Sequence, residues 1–417
     1  MKEVDICAHQ YYINGEELST FFKSNECCAL GMAYSWEGEG VTHLRFNSLE
    51  HAFGIVSVAS FAKKNGTHPE SIKYKVDIDD EGNATVNGVK VNVIPASKDL
   101  YSRSKGLLEV DVLATKRVLI MGLGSGGAPI AIELAKAGVG EFAISDFDRL
   151  EPHNLVRHVC YVNDLGRLKT DAIADAIHGK NPYAKVDKYP IDLTADIDVL
   201  RQEIGKCDLV ICGTDNNKSR FILSKLLLEL QKPAIFGSCI TRAEAGDVFI
   251  YHPGSACYFC LVGMGVIDIA NEEISDLKSA RDSGRIAQYT TDEDAEVKVQ
   301  VGLSSDIEPI SNMMTKLALV ELSKGTDSGI TSLEKELTCN HYLWVNRRDG
   351  KYSSFCKENI ENVKVPTILR WYGAMIEQHP ECSVCGHITE QLNESMAYDD
   401  IVFLERLKRT FRKELTD

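Results

Sequence analysis

The chain has 417 residues, 44% of them hydrophobic and 26% charged, with a net charge of −15. That length allows two or three domains with a sizeable core, and the acidity argues against a nucleic-acid backbone as the main partner. No stretch approaches the roughly 18 apolar residues of a membrane helix, and the N-terminus lacks a basic region followed by an apolar one, so no signal peptide is expected.

Residues 1–100 read as a separate α+β module. Between residues 76 and 94 apolar and polar side chains alternate around Glu81-Gly82-Asn83 and Asn87-Gly88. This predicts two or three antiparallel strands. Residues 51–63 read as a helix. No catalytic motif lies here, and the module is expected to dock or hold a substrate.

From residue 116 to residue 251 strands and helices alternate. Strands are expected at 118–121, 141–145, 208–212, 234–236 and 247–251, and helices at 128–137, 168–177 and 219–231. Pro129 falls in a first helical turn, where its missing N–H costs little. Such alternation makes a doubly wound, Rossmann-like α/β fold with a mostly parallel sheet. Residues 264–305 are polar and acidic and read as a loop or insertion. A helix is expected at 310–322 and a short strand at 341–345. The tail from residue 398 spaces Ile401, Phe403, Leu404, Leu407 and Phe411 among charges, which predicts an amphipathic helix.

The first of these strands runs directly into Gly122, Leu123, Gly124, Ser125, Gly126 and Gly127. Glycines let the backbone approach a phosphate, and the following helix N-terminus supplies N–H donors. Asp146 and Asp148 end the next strand, where an acid can accept hydrogen bonds from ribose hydroxyls. These features fit any adenine nucleotide, NAD included. Asn154 and Arg157, and then Lys169 at the start of a helix, add two cations beside the cradle, which suits a triphosphate better than a dinucleotide. Thr214, Asp215 and Asn216 close the third parallel strand. A carboxylate there faces the switch-point crevice and is well placed to hold Mg²⁺. Singly, each residue has an ordinary structural role open to it: a surface salt bridge for Lys169, a helix cap for Asp215.

Thirteen cysteines without a secretory signal favour a reducing, cytoplasmic setting with thiols free or on metal. Cys257 with Cys260, and Cys382 with Cys385, form two Cys-x-x-Cys pairs. Four thiolates leave no open position, so they predict one structural zinc. Two redox pairs are the alternative, but neither is expected to open a helix after a thioredoxin-like strand.

In this order, Gly-x-Gly-x-x-Gly, Asp-x-Asp, Asn-Leu-x-Arg, Gly-x-x-Lys, Thr-Asp-Asn and Cys-Tyr-x-Cys resemble the ThiF/MoeB/HesA family, the bacterial relatives of ubiquitin-activating enzymes. The resemblance covers residues 101–261 and the C-terminal cysteine pair. It implies that Asp146 binds ribose, that Asn154, Arg157 and Lys169 bind phosphates, and that Asp215 organises Mg²⁺ and the transition state. Tyr101-Ser102-Arg103 is similar to a family segment whose arginine reaches across a dimer to the ATP phosphates, although Ser104 stands where the family has glutamine. A homodimer with Arg103 serving the partner's site is therefore implied. The implied activity is an ATP-dependent adenylyltransferase acting on the C-terminal glycine of a ubiquitin-like or sulfur-carrier protein. Residues 101–338 would form the adenylation domain, with a crossover loop at 262–306. Residues 339–417 would be an extension completing the zinc site.

Some relatives pass the acyl group to a cysteine on that loop, but residues 261–306 contain none. Cys339, near His341, and Cys356, beside Lys357, are the remaining thioester candidates, each with incidental packing as the alternative. Other functions still open are adenylation of a peptide or tRNA-linked carboxylate, an NAD-dependent oxidoreductase, and a non-catalytic scaffold.

Overall fold

The structure is a computed structural model that describes residues 9–36, 41–45, 55–94, 100–240, 243–263, 302–347, 359–360, 363–364, 368–382 and 384–386. The chain divides into two compact units, Met1–Arg103 and Ser104–Asp417.

In the first unit seven strands close into a barrel: β1 (Gln10–Asn14), β2 (Cys28–Trp36), β3 (Val41–Arg45), β4 (Ile55–Lys63), β5 (Tyr74–Ile78), β6 (Ala84–Val86) and β7 (Val89–Ile94). The spatial order is β1-β3-β2-β4-β5-β6-β7, and β7 returns to pair with β1. The strands expected between residues 76 and 94 are present as β5, β6 and β7 in antiparallel succession. Asn87 and Gly88 join the last two with φ of 51° and 79°, the positive pair a two-residue hairpin needs. The helix expected at 51–63 is not formed over its described part: residues 55–63 are strand β4. Small residues in Ala59-Ser60-Phe61-Ala62 gave the segment a helical look, but it pairs along its length with β2 and β5, and long-range pairing overrides propensity. A helix is present elsewhere among the described residues of this unit: α1 (Gly15–Lys23) adds Leu18 and Phe21 to a core of Ile13, Leu44, Phe61, Val76 and Val86.

The second unit is built on an eight-stranded sheet. Its strands are β8 (Arg117–Met121), β9 (Glu141–Ser145), β10 (Lys185–Tyr189), β11 (Leu209–Cys212), β12 (Ala234–Cys239), β13 (Ala245–Tyr251), β14 (His341–Val345) and β17 (Arg370–Ala374). Two-residue strands β15 (Asn359–Ile360) and β16 (Val363–Lys364) pair only with each other. The sheet order is β10-β9-β8-β11-β12-β13-β14-β17. From β10 to β12 every pairing is parallel, and from β12 to β17 every pairing is antiparallel. The order reverses between β8 and β11, which makes their carboxyl ends the switch point where ligands bind in such sheets.

Helices cover both faces. Val118, Ile120, Phe142, Ile144 and Ile211 pack against α2 (Gly127–Ala137), α3 (Lys169–Lys180) and α7 (Ser304–Leu322). The alternate residues Leu119, Met121, Ala143, Val210 and Cys212 pack against α4 (Ile197–Lys206), α5 (Asn217–Leu230) and α6 (Tyr258–Gly263). A sheet buried on both faces reads as unbroken apolar runs, which is why β8 and β11 stand out in the sequence. Gly138, at φ 96°, ends α2, and the N–H groups of Gly138 and Val139 donate to the carbonyls of Ala135 and Leu134, the usual left-handed stop. Residues 264–301 of the insertion expected at 264–305, Cys356 and the tail helix from residue 398 lie outside the described residues, and the last two residues of that expected insertion, Ser304 and Ser305, already belong to α7.

Candidate active site

The glycine turn leaves β8 at the switch point. Gly122 has φ 83°, a conformation suited to glycine. A Cβ there would also lie 2.8 Å from the carbonyl oxygen of Gly213, past the end of β11. A Cβ at Gly127 would lie 1.9 Å from the Gly122 carbonyl oxygen. These two glycines close the turn on itself and on its neighbour. Gly124 and Gly126 differ: a Cβ on either meets nothing within 4 Å. The N–H groups of Gly124, Ser125 and Gly126 find no acceptor among the described residues. The turn thus offers unpaired donors beside open space at a helix N-terminus, the arrangement that receives an anion. The Ser311 hydroxyl of α7 donates to the Gly126 carbonyl at 3.0 Å and braces the turn from the α7 side.

Asp146 and Lys169 meet beside this turn. One Asp146 oxygen accepts from the Leu123 N–H at 2.7 Å and the other from the Asp148 N–H at 2.9 Å. The Lys169 ammonium lies 2.7 Å from Asp148 Oδ2 and 3.7 Å from Asp146 Oδ1. Lys169 is 7% exposed, so its pairing is not the surface salt bridge the sequence allowed. Burial pushes the Asp146 carboxyl above its usual value, while Lys169 and the two N–H donors pull the other way.

His158, to which no sequence motif gave a role, belongs to the same network. Its Nδ1 accepts from the Cys160 N–H at 3.2 Å, which leaves Nε2 protonated to donate to the Leu123 carbonyl at 2.7 Å. Burial holds its imidazole below the usual pKa, and Lys169 pushes the same way. Its position directly after Arg157 was the available signal.

Asn154 and Arg157 sit on the turn between β9 and α3. The Asn154 Oδ1 accepts from the Glu151 N–H at 2.9 Å, and its own N–H donates back to the Glu151 carbonyl, so this amide caps its own turn. Arg157 is half-buried. Thr214, Asp215 and Asn216 follow β11, and Thr214 N is the atom 3.0 Å from a Cβ built on Gly122. Asn216, not Asp215, caps α5, its Oδ1 accepting from the Ser219 N–H at 2.8 Å. Asp215 is exposed, and its carboxylate has no partner among the described residues. Arg103 ends the first unit, exposed on the 3-10 turn Ser102–Ser104.

The four predicted metal-ligating cysteines are brought together. Their sulfurs all lie within 4.8 Å of one another, with Cys257 to Cys382 at 3.6 Å, Cys257 to Cys260 at 3.9 Å and Cys260 to Cys385 at 3.3 Å. Bonds of ~2.3 Å to a tetrahedral centre put sulfurs about 3.8 Å apart, a spacing the set straddles, so its sulfurs fit a metal ion with small adjustments. The His379 N–H donates to the Cys260 sulfur at 3.4 Å, and a Cβ on Gly386 would lie 2.4 Å from the Pro380 carbonyl. One expectation is corrected: the first pair does open a helix, α6, whose brevity hid it in the sequence.

Cys339 is half-buried with its sulfur against Gly373. His341 does not serve it: its Nε2 lies 3.4 Å from Asp247 Oδ2. Cys356 is outside the described residues.

The fold and site define a doubly wound α/β protein with a phosphate-cradling turn at its switch point. Residues 100–359 match the ThiF family, and the chain belongs to it. It is 34% identical over 170 residues to the adenylyltransferase and sulfurtransferase MOCS3 of Culex quinquefasciatus, covering 39% of this chain and 37% of that protein. To the sulfur carrier protein adenylyltransferase of Thermus thermophilus it is 32% identical over 176 residues, 39% of this chain and 63% of that protein. The chain thus spans less than two thirds of either relative's length. Among solved structures, Escherichia coli MccB with AMPCPP and MccA aligns with a TM-score of 0.49 and 18% identity, covering 70% of this chain and 75% of that one. No helix among the described residues is long and apolar enough to cross a membrane.

Proposed function

We propose that the chain is an ATP-dependent adenylyltransferase that activates the C-terminal carboxylate of a small ubiquitin-like or sulfur-carrier protein. The observation that carries this is the turn Gly124-Ser125-Gly126, with unpaired N–H donors and open space, set beside the Lys169–Asp146 pair and the unpartnered carboxylate of Asp215. A dinucleotide has no use for the Asn154, Arg157 and Lys169 set, which supports a triphosphate.

In this reading Asp146 receives the ribose hydroxyls, and the turn N–H groups with Asn154, Arg157 and Lys169 receive the phosphates. Asp215 is the group to hold Mg²⁺, which when bound would neutralise phosphate charge. An oxygen of the substrate carboxylate attacks the α-phosphorus. The bond from that phosphorus to the bridging oxygen breaks, and its electron pair leaves with pyrophosphate. The product is an acyl adenylate. No proton need move, so the protein's contribution is position and charge. Arg103, exposed at the end of its unit, is assigned to the partner's site of a homodimer. Cys257, Cys260, Cys382 and Cys385 are assigned to one structural zinc, since all four positions are filled by sulfur.

The test is ATP–pyrophosphate exchange with candidate carriers ending in glycine and with short peptides. Exchange with a carrier is expected, and Asp215→Ala should lower it at least about a hundredfold while the thermal unfolding curve stays in place. Wild-type exchange by that variant rules the assignment out. Exchange with peptides alone replaces the carrier by a peptide carboxylate.

A further inference from the structure

Arg220 is a buried cation that the proposed chemistry does not use. It lies on α5 and is 7% exposed, yet no carboxylate lies within ion-pair distance of it among the described residues; the buried Asp247 carboxylate favours its charge through space only. Its hydrogen-bond partners are neutral. Nη2 donates to the carbonyl oxygens of Thr214 at 2.7 Å and Gly237 at 3.2 Å, and Nη1 lies 3.4 Å from the Tyr258 hydroxyl. Nε is buried with no partner. Burying a guanidinium on neutral acceptors is costly. A neutral side chain would fill this space at less cost, so the placement calls for a reason.

The partners supply one. Thr214 is the residue before Asp215, at the carboxyl end of β11. Gly237 holds the same level on the adjoining strand β12. Tyr258 is the second residue of the Cys257-Tyr-Phe-Cys260 pair. It is 2% exposed, its ring stacks on Phe236 at 4.8 Å, and Phe221 and Phe249 meet it edge-on. Tyr258 is bonded to Cys257, so in packing this tight a shift of the cysteine pair is carried into its ring. The Asp215 turn is therefore tied, through one guanidinium and one phenol, to the segment that carries two of the four metal-ligating sulfurs.

We propose that Arg220 is a positioning residue that makes the set of the Asp215 turn depend on metal occupancy of the four-cysteine site, with Tyr258 as the link. This deepens the adenylation reading and rests on it. Metal bound by the four sulfurs fixes the Cys257–Cys260 turn, Tyr258 holds Nη1, and Nη2 holds the Thr214 carbonyl so that Asp215 points outward. Loss of the metal frees the Cys257–Cys260 turn first, and through it shifts Tyr258. What suffers is the magnesium-dependent part of nucleotide binding, which needs Asp215. The part carried by the glycine turn is left alone.

The experiment compares the wild-type chain with Tyr258→Phe, each zinc-loaded and zinc-depleted. Metal content is measured, and calorimetry reads ATP affinity with and without Mg²⁺. Arg220→Lys, which keeps the charge but loses the fork, is a second variant. Zinc-loaded Tyr258→Phe and Arg220→Lys should keep one zinc per chain, bind ATP without Mg²⁺ as wild type does, and lose about tenfold of the affinity that Mg²⁺ adds. Zinc depletion should cost the wild type a similar factor and Tyr258→Phe less than about twofold more, because the link is already cut. If Tyr258→Phe keeps the full magnesium increment, or if depletion costs it as much as it costs the wild type, the inference falls alone. If the wild type shows no Asp215-dependent binding of Mg·ATP, the adenylation reading falls and takes this with it.

Discussion

Lys169 joins two carboxylates, one buried and one exposed, and its loss would leave the Asp146 charge buried without a cation. Removing one partner of a buried pair costs about 3–5 kcal/mol. Lys169→Met should therefore lower the melting temperature by many degrees. Burial already raises the Asp146 pKa, and losing the lysine raises it further. A carboxyl raised in the folded state favours the fold while protonated and loses that advantage as pH climbs through the raised value. The deficit of Lys169→Met should be larger at pH 8 than at pH 5, as read by thermal unfolding. His158 carries the opposite sign. Its pKa is lowered in the fold, so its contribution is complete above the unfolded value of about 6.5 and drains away as pH falls through the folded value. Melting temperature should drop between pH 7.5 and pH 5, and His158→Gln, which can still donate to the Leu123 carbonyl, should flatten that drop.

At the scale of the element, the turn into α2 separates fold from ligand. Gly127→Ala would set a methyl 1.9 Å from the Gly122 carbonyl, a backbone clash that should cost more than about 4 kcal/mol and leave little folded protein. Gly124→Ala meets open space; it should fold with a near-normal melting temperature and bind nucleotide at least about tenfold more weakly, as measured by calorimetry. How legible each element was follows from its burial. β8, β9 and β11 are covered on both faces and announce themselves as apolar runs. β10 is an edge strand whose Lys185, Asp187 and Lys188 are exposed, and such charged edges carry no hydrophobic period to read. α4 was overlooked although its signals were present: Asp196 caps it by accepting from the Val199 N–H, and Leu200 and Ile204 share its inner face. In the site, the positions of Asp146 and Asp215 after strand ends, and of Lys169 at the first turn of α3, were legible because short motifs fix them. His158, Arg220 and Tyr258 were not, because their roles lie in contacts made across the fold. The opening of α6 at the first cysteine pair escaped notice because a six-residue helix has too few turns to show a period.

At the scale of the whole molecule, the sulfur cluster joins residues 125 positions apart, Cys257 with Cys382. A cross-link closing a loop of that length removes about 4–5 kcal/mol of chain entropy from the unfolded state in the loop-closure model. Cys382→Ser should retain less than one zinc per chain and melt lower than wild type. A strong chelator should lower the wild-type melting temperature toward that of the variant and move the variant little further. A chelator effect of equal size on both proteins would separate the metal from this site.

That spacing also sets an order on synthesis. The strands that frame the switch-point crevice, β8 to β12, and the first sulfur pair leave the ribosome long before Cys382 is made. Until then the early half holds only two ligands and cannot complete a tetrahedron. A message cut short anywhere in the intervening stretch yields a chain that carries its glycine turn, Lys169 and Asp215 but lacks the clasp, so metal retention reports whether translation passed Cys385.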